Sequence, residues 1–307
     1  MNKINNTDTH LIAYYVNEKH KERSRFSVNL YDERQGRCAI ELEGPIPNCC
    51  SEFHILENLR GLQCPPLPLI LHTDFRYRVV DGYGFDSKTN DYKVVRISFF
   101  TNSPNPEVEL YSLNRECWRR ICVVGPHNRF CFPPIPFQPA QAFVNGIVHW
   151  VGCNLDAAKD ISILTFDMSS EVFCTIKPPA APGHGWVRTH FAVSVLRESL
   201  CLGHFDSSVS QGSIWLMKEH GVVESWTKVF SFDVDRVFAG HTLGYRRNGD
   251  LLFYTRNDHM FTINLESQQV KDLGIRLSGV LKSLYVVPYM ESLVLPWQVN
   301  QVLRGQA

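Results

Sequence analysis

The chain has 307 residues, with 31 Lys plus Arg against 31 Asp plus Glu and a formal net charge of zero. That balance excludes a general affinity for nucleic acid or for an anionic membrane surface. Hydrophobic residues at 44% and aromatics at 12% supply a sizeable core and exclude a disordered chain, and no apolar run approaches the ~20 residues that span a bilayer.

Residues 1–9 are polar and are expected to form a disordered tail, without the apolar segment of a signal peptide. His10-Leu-Ile-Ala-Tyr-Tyr-Val-Asn17 is rich in β-formers, and Arg25-Phe-Ser-Val-Asn-Leu-Tyr31 alternates apolar and polar residues as a half-buried strand does. Ala39-Ile-Glu-Leu-Glu43 reads as a third strand and Phe53-His-Ile-Leu56 as a fourth. Prolines from Pro65 to Pro68 then exclude a central strand, because proline donates no backbone hydrogen bond. Four double hairpins follow. The first pairs residues 78–86 with 92–97 and 108–113 with 117–121, and a Pro-rich loop from Pro126 to Pro139 ends it. The second opens on Phe143-Val-Asn-Gly-Ile-Val-His-Trp150. Asn145-Gly146 favours a two-residue turn with both central residues at positive φ, which sets Val144 opposite Ile147 and Phe143 opposite Val148. Its second hairpin spans Ile161 to Ile176, with the turn near Ser169-Ser170. The third runs through residues 190–196, 199–203, 213–217 and 224–229, with a turn at His220-Gly221; the fourth runs through 242–245, 250–254, 260–264 and 269–273. A single hairpin, residues 283–288 and 292–295, ends the series.

The first-hairpin turns fall near residues 90, 145, 197, 248 and 290, a spacing of roughly 40–55 residues, which is the range of propeller blades. The expected fold is all-β: a β-propeller-like ring of about five four-stranded antiparallel blades over residues 10–297, one of them incomplete, with a C-terminal tail at 298–307. The N-terminal strands at residues 10–31 would complete the blade begun by the last hairpin, closing the ring and protecting its edges. Ten cysteines without a Cys-x-x-Cys pair read as reduced thiols of a cytosolic or nuclear protein, with Cys153, Cys174 and Cys201 as small core residues.

Chemistry is sparse. Twelve histidines include no His-x-x-x-His and no Cys/His set with zinc spacing, so no metal is expected. His149 reads as a satisfied strand histidine. Gly82-Tyr-Gly84 lacks the third glycine and helix of a phosphate loop, and Ser207, Ser208 and Ser210 lack the Gly-x-Ser-x-Gly setting. Asp233-Val-Asp235 reads as a solvated loop, and Trp118 as an anchor whose neighbours Arg119 and Arg120 face water. No catalytic residue and no cofactor is expected. The residues favoured for binding a partner are loop residues, His127, Arg129, Trp186, Arg188 and His241, because Trp and Arg are enriched at interface hot spots.

Gly84-Phe-Asp-Ser-Lys-Thr-Asn-Asp-Tyr-Lys-Val-Val95, Val108-Glu-Leu-Tyr-Ser-Leu113 with Trp118-Arg-Arg120, Phe143 to Trp150 and Ile163-Leu-Thr-Phe-Asp167 occur in one order. They resemble the F-box-associated domain of plant F-box proteins, with the S-locus-like and F-box/kelch-repeat branches nearest, over most of residues 10–297. The resemblance implies capture of a protein substrate for a cullin-type ubiquitin ligase. Two departures are visible. The roughly forty helical residues of an F-box are absent before the domain, so a Skp-type adaptor is not expected as a partner. Arg60-Gly-Leu-Gln-Cys64 runs straight into prolines where the family has further strands, which suggests about five blades in place of roughly six. A truncated paralogue without function and a glycan-binding propeller are the alternatives; an enzyme is disfavoured.

Overall fold

The computed structural model describes residues 9–17, 24–32, 37–45, 76–100, 105–121, 130–131, 141–154, 161–179, 189–196, 198–206, 211–233, 241–245, 249–254, 259–276 and 280–288. In the strands before residue 79 and after residue 274 the description is of the backbone. The described residues form 21 strands and one 3-10 turn, Val223–Ser225. In chain order the strands are β1 (Thr9–Asn17), β2 (Ser24–Asp32), β3 (Arg37–Pro45), β4 (Arg76–Asp86), β5 (Asp91–Phe100), β6 (Glu107–Ser112) and β7 (Cys117–Ile121). Next come β8 (Phe130–Cys131), β9 (Ala142–Val144), β10 (Ile147–Asn154), β11 (Ile161–Asp167) and β12 (Phe173–Ile176). The last are β13 (Thr189–Leu196), β14 (Ser199–Asp206), β15 (Gln211–Met217), β16 (Trp226–Asp233), β17 (His241–Tyr245), β18 (Leu251–Tyr254), β19 (His259–Ile263), β20 (Val270–Arg276) and β21 (Val280–Pro288). Among the described residues no helix is long and apolar enough to cross a membrane.

The strands assemble into five antiparallel sheets among the described residues. Four of them, β4-β5-β6-β7, β12-β11-β10-β8 with β9 beside β10, β13-β14-β15-β16 and β17-β18-β19-β20, make up a unit over residues 67–273. The double hairpins are the expected ones, and Val144 pairs with Ile147 and Phe143 with Val148 in the expected register. The Pro-rich segment departs from its reading as a loop: Phe130-Cys131 pairs with Cys153-Asn154 as a short strand. Its two residues are flanked by too many prolines for a periodic signal to show. The fifth sheet, β21-β1-β2-β3, belongs to a unit of residues 1–66 and 274–307. Terminal strands do share one sheet, but three come from the N-terminus and one from the C-terminus, because β3 continues the β2 register from Arg25↔Pro45 to Asp32↔Arg37. The readings at residues 53–56, 60–68 and 292–295 lie outside the described residues.

Within residues 67–273, each sheet packs its apolar face on the next. Val80, Val95, Ile97 and Leu110 of the first meet Val148, Trp150, Leu164 and Phe166 of the second. Val144, Val151 and Ile163 of the second meet Phe191, Val193, Leu200 and Leu202 of the third. Cys201, Ile214 and Phe230 of the third meet Leu251, Phe253 and Ile263 of the fourth. No double hairpin encloses a core alone, and burying each large side chain this way stabilises by roughly 1.5–3 kcal/mol. Cys201 is buried as expected, whereas Cys174 is exposed: alternation on the edge strand β12 buries Phe173 and turns Cys174 outward.

The turns repeat as the strands do. Every described residue with positive φ, Gly274 aside, sits in a turn between first and second or third and fourth strands of a sheet: Asn90, Asn145, Gly146, Glu198 and Gly249 in the former, Glu116, Glu171, Gly221 and Gln268 in the latter. In an antiparallel meander both kinds of turn fall at one end of the sheet. The chain therefore enters, leaves and makes its remaining connection at the other end.

Candidate interaction site

The charged residues of the Gly84–Val95 stretch join sheets to one another. Asp86 is fully buried at the end of β4, where its carboxylate accepts from Lys88 N at 3.0 Å and Thr89 Oγ1 at 2.6 Å, stitching its own turn. Ser169 Oγ of the neighbouring sheet donates to Asp86 at 2.6 Å. Lys93 Nζ reaches Asp86 at 2.9 Å, Glu171 at 3.1 Å and the Met168 carbonyl at 2.8 Å. Burial would raise the Asp86 pKa, but the hydroxyls of Ser169 and Thr89 and the Lys93 ammonium outweigh it and hold the carboxyl well below the usual range. Lys93 is likewise held above its ordinary value, because Asp86 and Glu171 outweigh its burial. Arg119 forms an ion pair with Glu171 across the same seam, so it does not simply face water as its sequence setting suggests. Arg120 pairs with Glu107 at 3.2 Å. Trp118 anchors its strand as expected, packing on Tyr111 with the Arg96 guanidinium 5.1 Å from its ring centroid.

Gly82 and Gly84 serve the same seam. A Cβ on Gly82 would lie 2.2 Å from Trp150 Cζ2, and one on Gly84 would lie 2.5 Å from the Phe143 ring. The glycines let β4 approach the next sheet closely; Trp150 Nε1 then donates to the Asp81 carbonyl at 3.1 Å.

His149 is fully buried on β10. Its Nδ1 lies 3.1 Å from the Ala142 carbonyl, an acceptor, so Nδ1 carries the proton. Nε2 then presents a lone pair, and His220 Nε2, 3.0 Å away in the turn after β15, donates to it. Burial pushes the His149 pKa down to about 4, against the pull of the Ala142 carbonyl and with a further push from His220. Burial lowers the His220 pKa as well. The strand histidine is thus satisfied, though by a residue 71 positions away that no local pattern connects to it. Among the described residues no group of three or more His, Cys, Asp or Glu side chains is placed to hold a metal ion.

Of the residues favoured for binding, His127, Arg129, Trp186 and Arg188 lie outside the described residues. His241 is the first residue of β17, a strand position and not a loop one. His127 and Arg129 belong to the connection leaving β7, Trp186 and Arg188 to the connection between β12 and β13, and His241 opens a first strand.

The family described as F-box associated beta propeller domain matches residues 70–295. The chain belongs to this family. Its successive antiparallel sheets are the blades of a β-propeller fold, and the Gly-Phe-Asp stretch is a joint between blades. The F-box protein CPR1 of Arabidopsis thaliana is 28% identical over 216 residues, covering 64% of this chain and 51% of that protein. An F-box/kelch-repeat protein of Arabidopsis thaliana is 26% identical over 159 residues, covering 50% of this chain and 40% of that protein. The chain spans about half the length of the curated relatives it matches. Among solved structures, the Dos1 propeller aligns with 89% of this chain and 58% of its own at 5% identity, with a TM-score of 0.39.

Proposed function

We propose that this propeller is the partner-capturing part of an F-box-type protein, that it holds a protein substrate for ubiquitination, and that it does so without catalysing a reaction itself. The partner sits at the end of the sheets where the chain enters and leaves. The observation that carries this reading is that the turn end is already occupied by its own contacts. At the turn end, polar groups are already engaged within the domain: Asn114 with Asp91, Ser169 and Ser170 with Asp167, and Glu266 and Ser267 with Asn264. The opposite end is left for the partner, and Arg129, Trp186 and Arg188 are assigned to it as part of this proposal. Family membership and the F-box names of the relatives support substrate capture as the purpose.

The test is co-purification of the chain with a protein partner, followed by affinity measurement on variants. Trp186→Ala and Arg188→Ala are expected to weaken binding by about thirtyfold each, the effect of a hot-spot truncation. Asn114→Ala, at the turn end, is expected to leave affinity within about twofold. Undiminished binding by both loop variants would overturn the placement of the site. Selective binding on a glycan array with no protein partner would overturn the reading itself.

A further inference from the structure

The turn after β15 is stitched internally by Ser225. Its hydroxyl donates to the Val222 carbonyl at 2.7 Å and accepts from Glu219 N at 3.1 Å, while Val222 N donates to the Glu219 carbonyl at 3.1 Å. Residues 218–225 therefore hold together as one body. Two contacts tie this body and the start of β16 to the preceding sheet. Trp226 Nε1 donates to the Lys177 carbonyl at 3.1 Å, a bond with no titratable group in it. His220 donates to His149 at 3.0 Å, with the rings nearly perpendicular at 84°.

We propose that the His149–His220 pair is a proton-gated clasp, which holds the turn at residues 218–225 on β10 while His149 is neutral and releases it when His149 takes up a proton. The neutral pair carries two N–H protons, on His149 Nδ1 and His220 Nε2. A third proton enters at His220 Nδ1, away from the contact, and the bond survives. A fourth enters at His149 Nε2, and two like-charged N–H groups then face each other with no acceptor between them. The surroundings offer no rescue. Strand β9 presents the Ala142 carbonyl, already used, β10 its own backbone at Ile147, and β11 the uncharged Thr165 opposite His149 in register. His220 is the titratable group whose charge acts on His149. Lys218, Glu219 and Glu224 lie in the turn beside His220, and neither ring is paired with a carboxylate among the described residues. The more exposed His220 fills first, so the clasp survives the ordinary histidine range and opens only below it.

Hydrogen exchange on the intact chain from pH 6.5 to pH 4, corrected for intrinsic rates, tests this, with residues 264–269 of the next sheet as a histidine-free reference turn. Protection at 218–225 is expected to fall about tenfold relative to the reference, the worth of one buried hydrogen bond. The fall is expected to begin below pH 6, and imidazole nitrogen shifts should show His149 Nε2 unprotonated at pH 7. In His220→Gln the relative fall should vanish, because the amide rotates to accept from a protonated His149. An equal fall in wild type and His220→Gln, no fall in either, or a His149 Nε2 proton at pH 7 would each overturn the clasp.

Discussion

Two side-chain decisions hold the described core together, one steric and one electrostatic. Gly82 is required because the Trp150 ring occupies the space a Cβ would take, at 2.2 Å. The contact is to the ring of a fully buried tryptophan, which has nowhere to retreat. Gly82→Ala is expected to cost about 1–3 kcal/mol by overpacking, read as a lower denaturation midpoint in urea; an unchanged midpoint would show that β4 does not press on Trp150. His149 acts through protons. Its folded pKa of about 4 lies below the ordinary 6.5, so the unfolded chain takes up the proton first as pH falls. Its contribution is whole above about pH 6.5, drains away between there and about pH 4, and is flat below; over that window it amounts to roughly 3 kcal/mol. His149→Gln removes the titration, so the difference between wild type and variant stability should shrink by that amount from pH 7 to pH 4. Parallel curves would contradict the assignment.

Hairpins were the most legible elements, because their cues are local. Asn145-Gly146 announces its turn through residues that accept positive φ, and the strand register follows from it. Other turns use the same backbone geometry with Glu116, Glu171, Glu198 and Gln268, residue types that seldom adopt it, so the sequence shows the turns without showing their shape. Contacts between sheets were illegible for a different reason: Lys93 meets Glu171 across 78 positions and His149 meets His220 across 71, and no periodicity spans such distances. Cys174 was misread because an apolar run alone does not say which face of an edge strand is covered. The Lys93 joint makes an element-scale prediction. Lys93→Met leaves Asp86 buried without its cation and is expected to cost about 3–5 kcal/mol. Arg119→Ala, at a half-exposed pair, is expected to cost less than about 1 kcal/mol. Equal losses in thermal or urea unfolding would show that burial does not govern this seam.

At the scale of the molecule, five sheets occur among the described residues, and the fifth takes strands from both termini through β1 and β21. The family's propeller fold and the repeating sheet-on-sheet cores leave one end of the sheets to the positive-φ turns, and the proposal assigns the partner to the other. The fold was readable because repetition multiplies a weak signal. A binding surface leaves no periodic trace, so for it the sequence offers only a set of residue types. Hydrogen exchange of the chain with and without a co-purified protein partner tests the central claim most directly. Protection on binding is expected in residues 122–129, 180–188 and 234–241. Protection confined to the turns at residues 87–90, 114–116, 145–146 and 169–171 would contradict it.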